Sequence, residues 1–129
     1  MHNKGEQGVA GVYLCDDVPA LRQLLRVVLE EDGLTIVGEA GDGATMLREL
    51  AAADPDVVVL DLSMPAMDGL EAIPLIHEVV PRAQIVVFSG YASQQMAATA
   101  LARKAARYVE KGSSLDELCA VVRELTEAA

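Results

Sequence analysis

Five polar residues stand out because each follows or closes a run of strand-forming residues. They are the pair Asp16-Asp17 after Val12-Tyr13-Leu14-Cys15, Asp61 after Val57-Val58-Val59-Leu60, Ser89 after Ile85-Val86-Val87-Phe88, and Lys111 after Tyr108-Val109-Glu110. In an open parallel α/β sheet, ligands bind in the crevice outside the carboxyl ends of the strands. Such a crevice would here collect three carboxylates, a hydroxyl and an ammonium. Carboxylates at close quarters repel one another unless a cation joins them, and Mg²⁺ takes oxygen ligands while keeping several of its waters. Lys111 and Ser89 suit an anion with several equatorial oxygens, such as a phosphoryl group. An Asp beside a divalent cation and a lysine can itself be the nucleophile, forming an aspartyl phosphate.

Taken singly, each of these residues has an ordinary reading. An Asp pair after a strand usually caps the next helix, Ser89 before Gly90 reads as a turn, and Lys111 before Gly112 reads as an exposed loop cation. The specific signal is their joint placement at successive strand ends.

The elements that must position them alternate along the chain. Strands are expected over Val9–Cys15, Leu34–Glu39, Asp56–Leu60, Gln84–Ser89 and Arg107–Glu110. The third and fourth are unbroken aliphatic runs, as in strands covered on both faces, and belong in the middle of the sheet. Helices are expected over Pro19–Asp32, with Leu21, Leu24, Leu25, Val28 and Leu29 on one stripe, over Gly43–Ala53 with Asp42 as N-cap, and over Gly69–Val80. Pro74 lies inside the third of these and should kink or weaken it. A fourth, Ala-rich helix over Ser93–Arg103 buries little. A fifth follows the capping pattern Ser114-Leu115-Asp116-Glu117 and carries Leu115, Leu118, Val122 and Leu125 on one face. This alternation is an α/β domain, a single doubly wound (βα)5 unit over residues 9–127, preceded by a disordered lead-in over residues 1–8.

Composition narrows the function. The chain has 129 residues, with 20 Asp plus Glu against 10 Lys plus Arg, a formal net charge of −10. One domain with one core fits that length. An acidic chain with scattered cations is repelled by nucleic acid and by anionic lipid, which argues against direct nucleic-acid or membrane binding. No apolar run approaches the length that spans a bilayer and the first residues lack a signal-peptide pattern, so a cytoplasmic location is expected. With one Phe, three Tyr and no Trp, the core should be built from Val, Leu, Ile and Ala. Cys15 and Cys119 stand apart without metal-ligand spacing and read as reduced core thiols without chemistry.

At the stretches Leu14-Cys15-Asp16-Asp17, Val59-Leu60-Asp61-Leu62-Ser63-Met64-Pro65-Ala66-Met67-Asp68-Gly69, Phe88-Ser89-Gly90 and Tyr108-Val109-Glu110-Lys111, the chain resembles the receiver domains of bacterial two-component response regulators. The resemblance runs from Val9 to about Leu125 and implies a flavodoxin-like parallel sheet in the order 2-1-3-4-5. It implies that Asp61 is the phosphoacceptor, charged by the phosphohistidine of a sensor histidine kinase. Asp17, Asp61 and the backbone carbonyl of Ser63 would ligate Mg²⁺ or Mn²⁺, with Asp16 acting through a water. Lys111 would pair with one phosphoryl oxygen and Ser89 with another, and Tyr108 would turn inward as Ser89 moves. Ser63 and Tyr91 would flank the path of the attacking water, and Gly90 would leave room for the donor. The output face would be helix 4, strand 5 and helix 5, serving a downstream protein, a fused effector or a phosphorylation-dependent homodimer.

Two departures from the family pattern bear on that face. Lys104 stands where a glycine commonly supplies a left-handed turn, which implies strain or a differently shaped end to helix 4. Gly112 follows Lys111 where many receivers have proline. Two other readings remain: a receiver-like interaction module that is never phosphorylated, and a phosphohydrolase of the haloacid-dehalogenase type, in which a second Asp would stand where Ser63 does. His77 lacks a second ligand at i ± 4 and reads as structural. Gly38-Glu39-Ala40-Gly41-Asp42-Gly43 does not match a dinucleotide-binding loop. The reading is a signalling switch rather than an enzyme acting on other substrates.

Overall fold

The computed structural model describes residues 10–64, 66–90 and 94–127. The expected lead-in, the first strand residue Val9, and Pro65, Tyr91 and Ser93 lie outside the described residues. Strands β1 (Gly11–Cys15), β2 (Thr35–Ala40), β3 (Val57–Leu60), β4 (Gln84–Ser89) and β5 (Arg107–Glu110) alternate with helices α1 (Pro19–Glu31), α2 (Gly43–Ala53), α3 (Gly69–Val79), α4 (Gln94–Ala102) and α5 (Leu115–Glu127). The strands form one sheet in the order β2-β1-β3-β4-β5, every pair parallel. β1 and β3 both lie inside it, so the site residues that follow them come from neighbouring strands.

Because successive strand residues point to opposite faces, the sheet carries two cores. Tyr13, Val58, Leu60, Ile85 and Val87 pack with Met46 and Leu50 of α2 and Ile73 and Ile76 of α3. Val12, Leu14, Val57, Val59, Val86 and Phe88 pack with Leu25 and Leu29 of α1 and Leu118 and Val122 of α5. Burial on both faces is what removes the polar alternation from these strands. The core is not purely aliphatic, since Tyr13 and Met46 are fully buried. The Tyr13 hydroxyl resolves the cost of burying a phenol by donating to Glu49 Oε1 at 2.6 Å. On α1, Leu24 is 47% exposed rather than part of the buried stripe; at 3.6 residues per turn it stands about 100° round the helix from Leu25.

The helix ends show how local chemistry sets the boundaries. Asp42 caps α2 by accepting the Thr45 N–H at 2.8 Å, and the Ser114 hydroxyl accepts the Glu117 N–H at 3.2 Å ahead of α5. β2 starts one residue later than expected because the Leu34 N–H closes α1 onto Leu29 O, while the Thr35 N–H pairs with Ala10 O. α4 closes in the same way as α1. The Ala105 N–H reaches Ala100 O and the Lys104 N–H reaches Leu101 O, both at 3.0 Å. That geometry requires a left-handed residue, and Lys104 adopts it with φ +78° at a cost of about 1–2 kcal/mol. The His77 Nε2–H donates to the Lys104 carbonyl at 3.0 Å, so His77 is structural, as its isolation in the sequence implied. No helix among the described residues is long and apolar enough to cross a membrane.

α3 runs through Pro74 without ending there. Pro74 has no N–H for the carbonyl of Leu70, four residues earlier, and the Arg103 Nη1–H takes that carbonyl at 2.7 Å. The gap that proline leaves in one helix is thus filled from the end of the next. Removing the guanidinium with Arg103→Met should lower stability by about 1 kcal/mol, measured by chemical denaturation. With Pro74→Ala in the background, the new N–H serves Leu70 and the same substitution should cost less. Equal losses in both backgrounds would show that the two residues do not share that carbonyl.

Candidate functional site

The backbone ladder continues one step past the strands and registers the site residues. The Asp16 N–H donates to Ala40 O at 3.1 Å, the Asp61 N–H to Cys15 O at 2.9 Å and the Lys111 N–H to Ser89 O at 2.8 Å. Each side chain therefore leaves a backbone position fixed by the adjacent strand. Asp16 and Asp61 are each 3% exposed and Ser89 is fully buried, whereas Asp17 is exposed. Ligand oxygens of Asp16, Asp17 and Asp61 lie within 4.8 Å of one another. The sequence placed these three together, and they meet. The ordinary reading of the Asp pair as a helix cap fails, since Val18 occupies the N-cap of α1 and makes no side-chain cap. Asp16 Oδ1 instead accepts the Val18 N–H at 2.9 Å.

Lys111 is the cation among them. Its Nζ stands 2.8 Å from Asp16 Oδ2 and 3.4 Å from Asp61 Oδ1. Burial alone would lower the Lys111 ammonium, but its bond to Asp16 and the charges of Asp16 and Asp61 outweigh that and hold it above the usual lysine range. Burial pushes the Asp61 carboxyl above the ordinary range. The Ser63 N–H at 3.2 Å opposes the rise, the Asp16 charge adds to it, and Lys111 offsets part of it. With all groups ionised, three carboxylates and one ammonium leave 1 − 3 = −2. That charge and that all-oxygen donor set fit a hard divalent cation such as Mg²⁺.

The segment after Asp61 is held against the sheet by Gly69, the first residue of α3. A Cβ there would stand 2.6 Å from the Asp61 carbonyl oxygen and 2.7 Å from Leu62 Cα. Glycine lets the helix start directly against the Asp61–Leu62 backbone, with the Gly69 N–H bonded to Leu62 O at 2.9 Å. Asp68 caps this helix in a reciprocal box with Glu71. Ser63 and Gly90 are exposed, and Tyr108 packs partly buried against the α2–α3 core. Cys15 lies beside the site with Sγ 3.3 Å from Met64 Sδ. Burial first, then the charges of Asp42, Asp16 and Asp61, push its thiol up to about 12, which favours the protonated form.

Sequence reasoning missed Arg22. Its Nε donates to Glu39 Oε1 at 3.0 Å and its Nη1 to the Asp16 carbonyl at 2.5 Å. Arg26, one turn later, also donates to Glu39, through Nη2 to Oε2 at 2.8 Å, and this pairing leads the effects that hold the Glu39 carboxyl below its ordinary range. The available signal was the Arg22/Arg26 spacing, which puts both on one helix face. Glu39, the penultimate residue of β2, is their shared partner.

A family profile described as "Response regulator receiver domain" matches residues 12–123. The protein-glutamate methylesterase/protein-glutamine glutaminase 3 of Hahella chejuensis is 46% identical over 80 residues, 62% of this chain and 23% of that protein. The chemotaxis protein CheY of Thermotoga maritima is 31% identical over 100 residues, 78% of this chain and 83% of CheY. The crystal structure of a two-component response regulator of the LuxR family from Aurantimonas sp. SI85-9A1 superposes with a TM-score of 0.88 at 30% identity, covering 93% of this chain and 86% of that one. The chain spans about half the length of the transcriptional regulators it also matches. Because the profile runs from β1 into α5, across all five strands and their crossovers, the chain belongs to the response regulator receiver domain family.

Proposed function

We propose that Asp61 accepts a phosphoryl group from a phosphohistidine on a sensor histidine kinase and that the modification switches the α4, β5 and α5 face. The observation that carries this reading is the pairing of a buried acceptor carboxylate with Lys111 inside a cluster that retains two negative charges. An Asp61 carboxylate oxygen attacks phosphorus. A P–O bond forms, the P–N bond to the donor imidazole breaks, and the imidazole leaves with the electron pair and takes up a proton. Asp17, Asp61 and the Ser63 carbonyl would hold Mg²⁺, with Asp16 acting through a water. When bound, the ion offsets charge on the carboxylates and the phosphoryl oxygens.

Lys111 then exchanges part of its contact with the carboxylates for a phosphoryl oxygen, and the Ser89 hydroxyl donates to another. Lys111 and Ser89 are joined through the backbone at 2.8 Å, so a shift at one is felt at the other. Tyr108 sits on β5 three residues before Lys111, where it can take up that shift at the surface. Ser63, Gly90 and Tyr91 would govern access of water and donor to the acceptor. The output is contact with another protein, a linked effector or a second copy.

Incubation with acetyl phosphate and Mg²⁺ should add one phosphoryl mass that hydroxylamine removes, and Asp61→Asn should abolish it. A wild-type chain that remains unmodified under these conditions sinks the proposal.

A second expectation follows from the raised Asp61 carboxyl. Its folded pKa lies above its unfolded one, so the destabilisation by the ionised form is full above the folded pKa and vanishes below the unfolded one. In EDTA at neutral pH, Asp61→Asn should therefore melt higher than the wild type, and the difference should disappear below the ordinary carboxylate range. Saturating Mg²⁺ should reverse the order, because it binds the folded wild type. Identical melting curves in EDTA would contradict the assignment of Asp61 as a net unfavourable buried charge.

A further inference from the structure

We propose that Arg22 is a positioning residue for the divalent cation, acting through the peptide that joins the two N-terminal aspartates. The inference rests on the metal reading above. The carbonyl that Arg22 Nη1 holds at 2.5 Å belongs to Asp16, and a carbonyl is coplanar with the N–H and Cα of the residue that follows. Fixing that oxygen fixes the plane from which Asp17 departs. Asp17 needs such help because it is the exposed member of the cluster.

The other polar groups of Asp16 have separate anchors. Its N–H is bonded to Ala40 O at 3.1 Å, its Oδ1 accepts the Val18 N–H at 2.9 Å and its Oδ2 meets Lys111 at 2.8 Å. Arg22 thus supplies the bond that orients the next peptide.

Arg22 is itself held in place. Its Nε is anchored to Glu39 on β2 at 3.0 Å, and its side chain is only 18% exposed. Gly41 leaves the space the guanidinium occupies, since a Cβ there would stand 3.1 Å from Nη1. Two donors on one planar group are used at once, one on a carboxylate and one on a carbonyl. A lysine ammonium on a flexible stem cannot reproduce that fork.

Charge and positioning make opposite demands on this residue. A cation beside an acidic metal site opposes a second cation, so on charge alone the removal of Arg22 should tighten Mg²⁺ binding. On positioning, its removal should weaken binding, as loss of groups that orient metal ligands does.

The test is Mg²⁺ titration of the full chain, followed by calorimetry or by amide NMR because the chain has no Trp, for the wild type, Arg22→Lys and Arg22→Met. Thermal unfolding in EDTA establishes that each variant is folded. Positioning predicts a Kd raised about tenfold in Arg22→Met, with Arg22→Lys also weakened although its charge is unchanged. If Arg22→Met binds more tightly and Arg22→Lys matches the wild type, Arg22 acts only as a charge and the inference fails. If Arg22→Met does not fold, Arg22→Lys decides alone, since unchanged affinity there overturns the proposal. A wild type that does not bind Mg²⁺ refutes instead the metal reading on which the inference rests.

Discussion

Like charges have to be kept together at the carboxyl end of the sheet, and much of the local architecture meets that requirement. Asp16, Asp17 and Asp61 would separate if their backbones were free, yet Asp16 and Asp61 leave positions bonded into the ladder, through Ala40 and Cys15 respectively. The parallel sheet thus opposes the repulsion mechanically, while Lys111 opposes it electrostatically, reaching across from the end of β5, two strands from β3. Neither is complete. The Asp61 carboxyl remains raised, first by burial and then by the Asp16 charge, and on the proposed reading a bound divalent cation would offset that cost.

The reading of the sequence reached furthest where chemistry and periodicity coincide. Buried strands announce themselves as aliphatic runs, so β3 and β4 were legible, and the residue that ends each run is legible as a site residue without any knowledge of side-chain geometry. Side chains that bridge distant segments were not. Arg22 meets Glu39 across seventeen positions and Arg103 meets Leu70 across thirty-three, and no local pattern encodes such pairings. Tyr13 was missed as core because the scarcity of aromatic residues pointed to an aliphatic one, and only the fold brings Glu49 to its hydroxyl. Boundaries moved by a residue where two elements competed for one N–H, as at Leu34 between the end of α1 and the start of β2.

Several polar groups of α3 and of the turn after α4 are compensated in pairs rather than avoided. Pro74 withdraws a donor and Arg103 restores it. Lys104 takes a backbone conformation that glycine would adopt freely, and the carbonyl it presents is bonded by His77. Both repairs connect the last turn of α4 and the residues just after it to α3. The helix that starts against the Asp61 backbone at Gly69 is in this way tied to one of the helices of the proposed output face.

The extended ladder also has a consequence for when the site can come apart. Loops that carry functional groups often open by local fluctuations far cheaper than unfolding. Here the amide protons of Asp16, Asp61 and Lys111 are bonded to carbonyls of β2, β1 and β4 respectively, so these residues share the opening unit of those strands. Their hydrogens should exchange with solvent on the timescale of the core, and the site should persist intact until the sheet is lost.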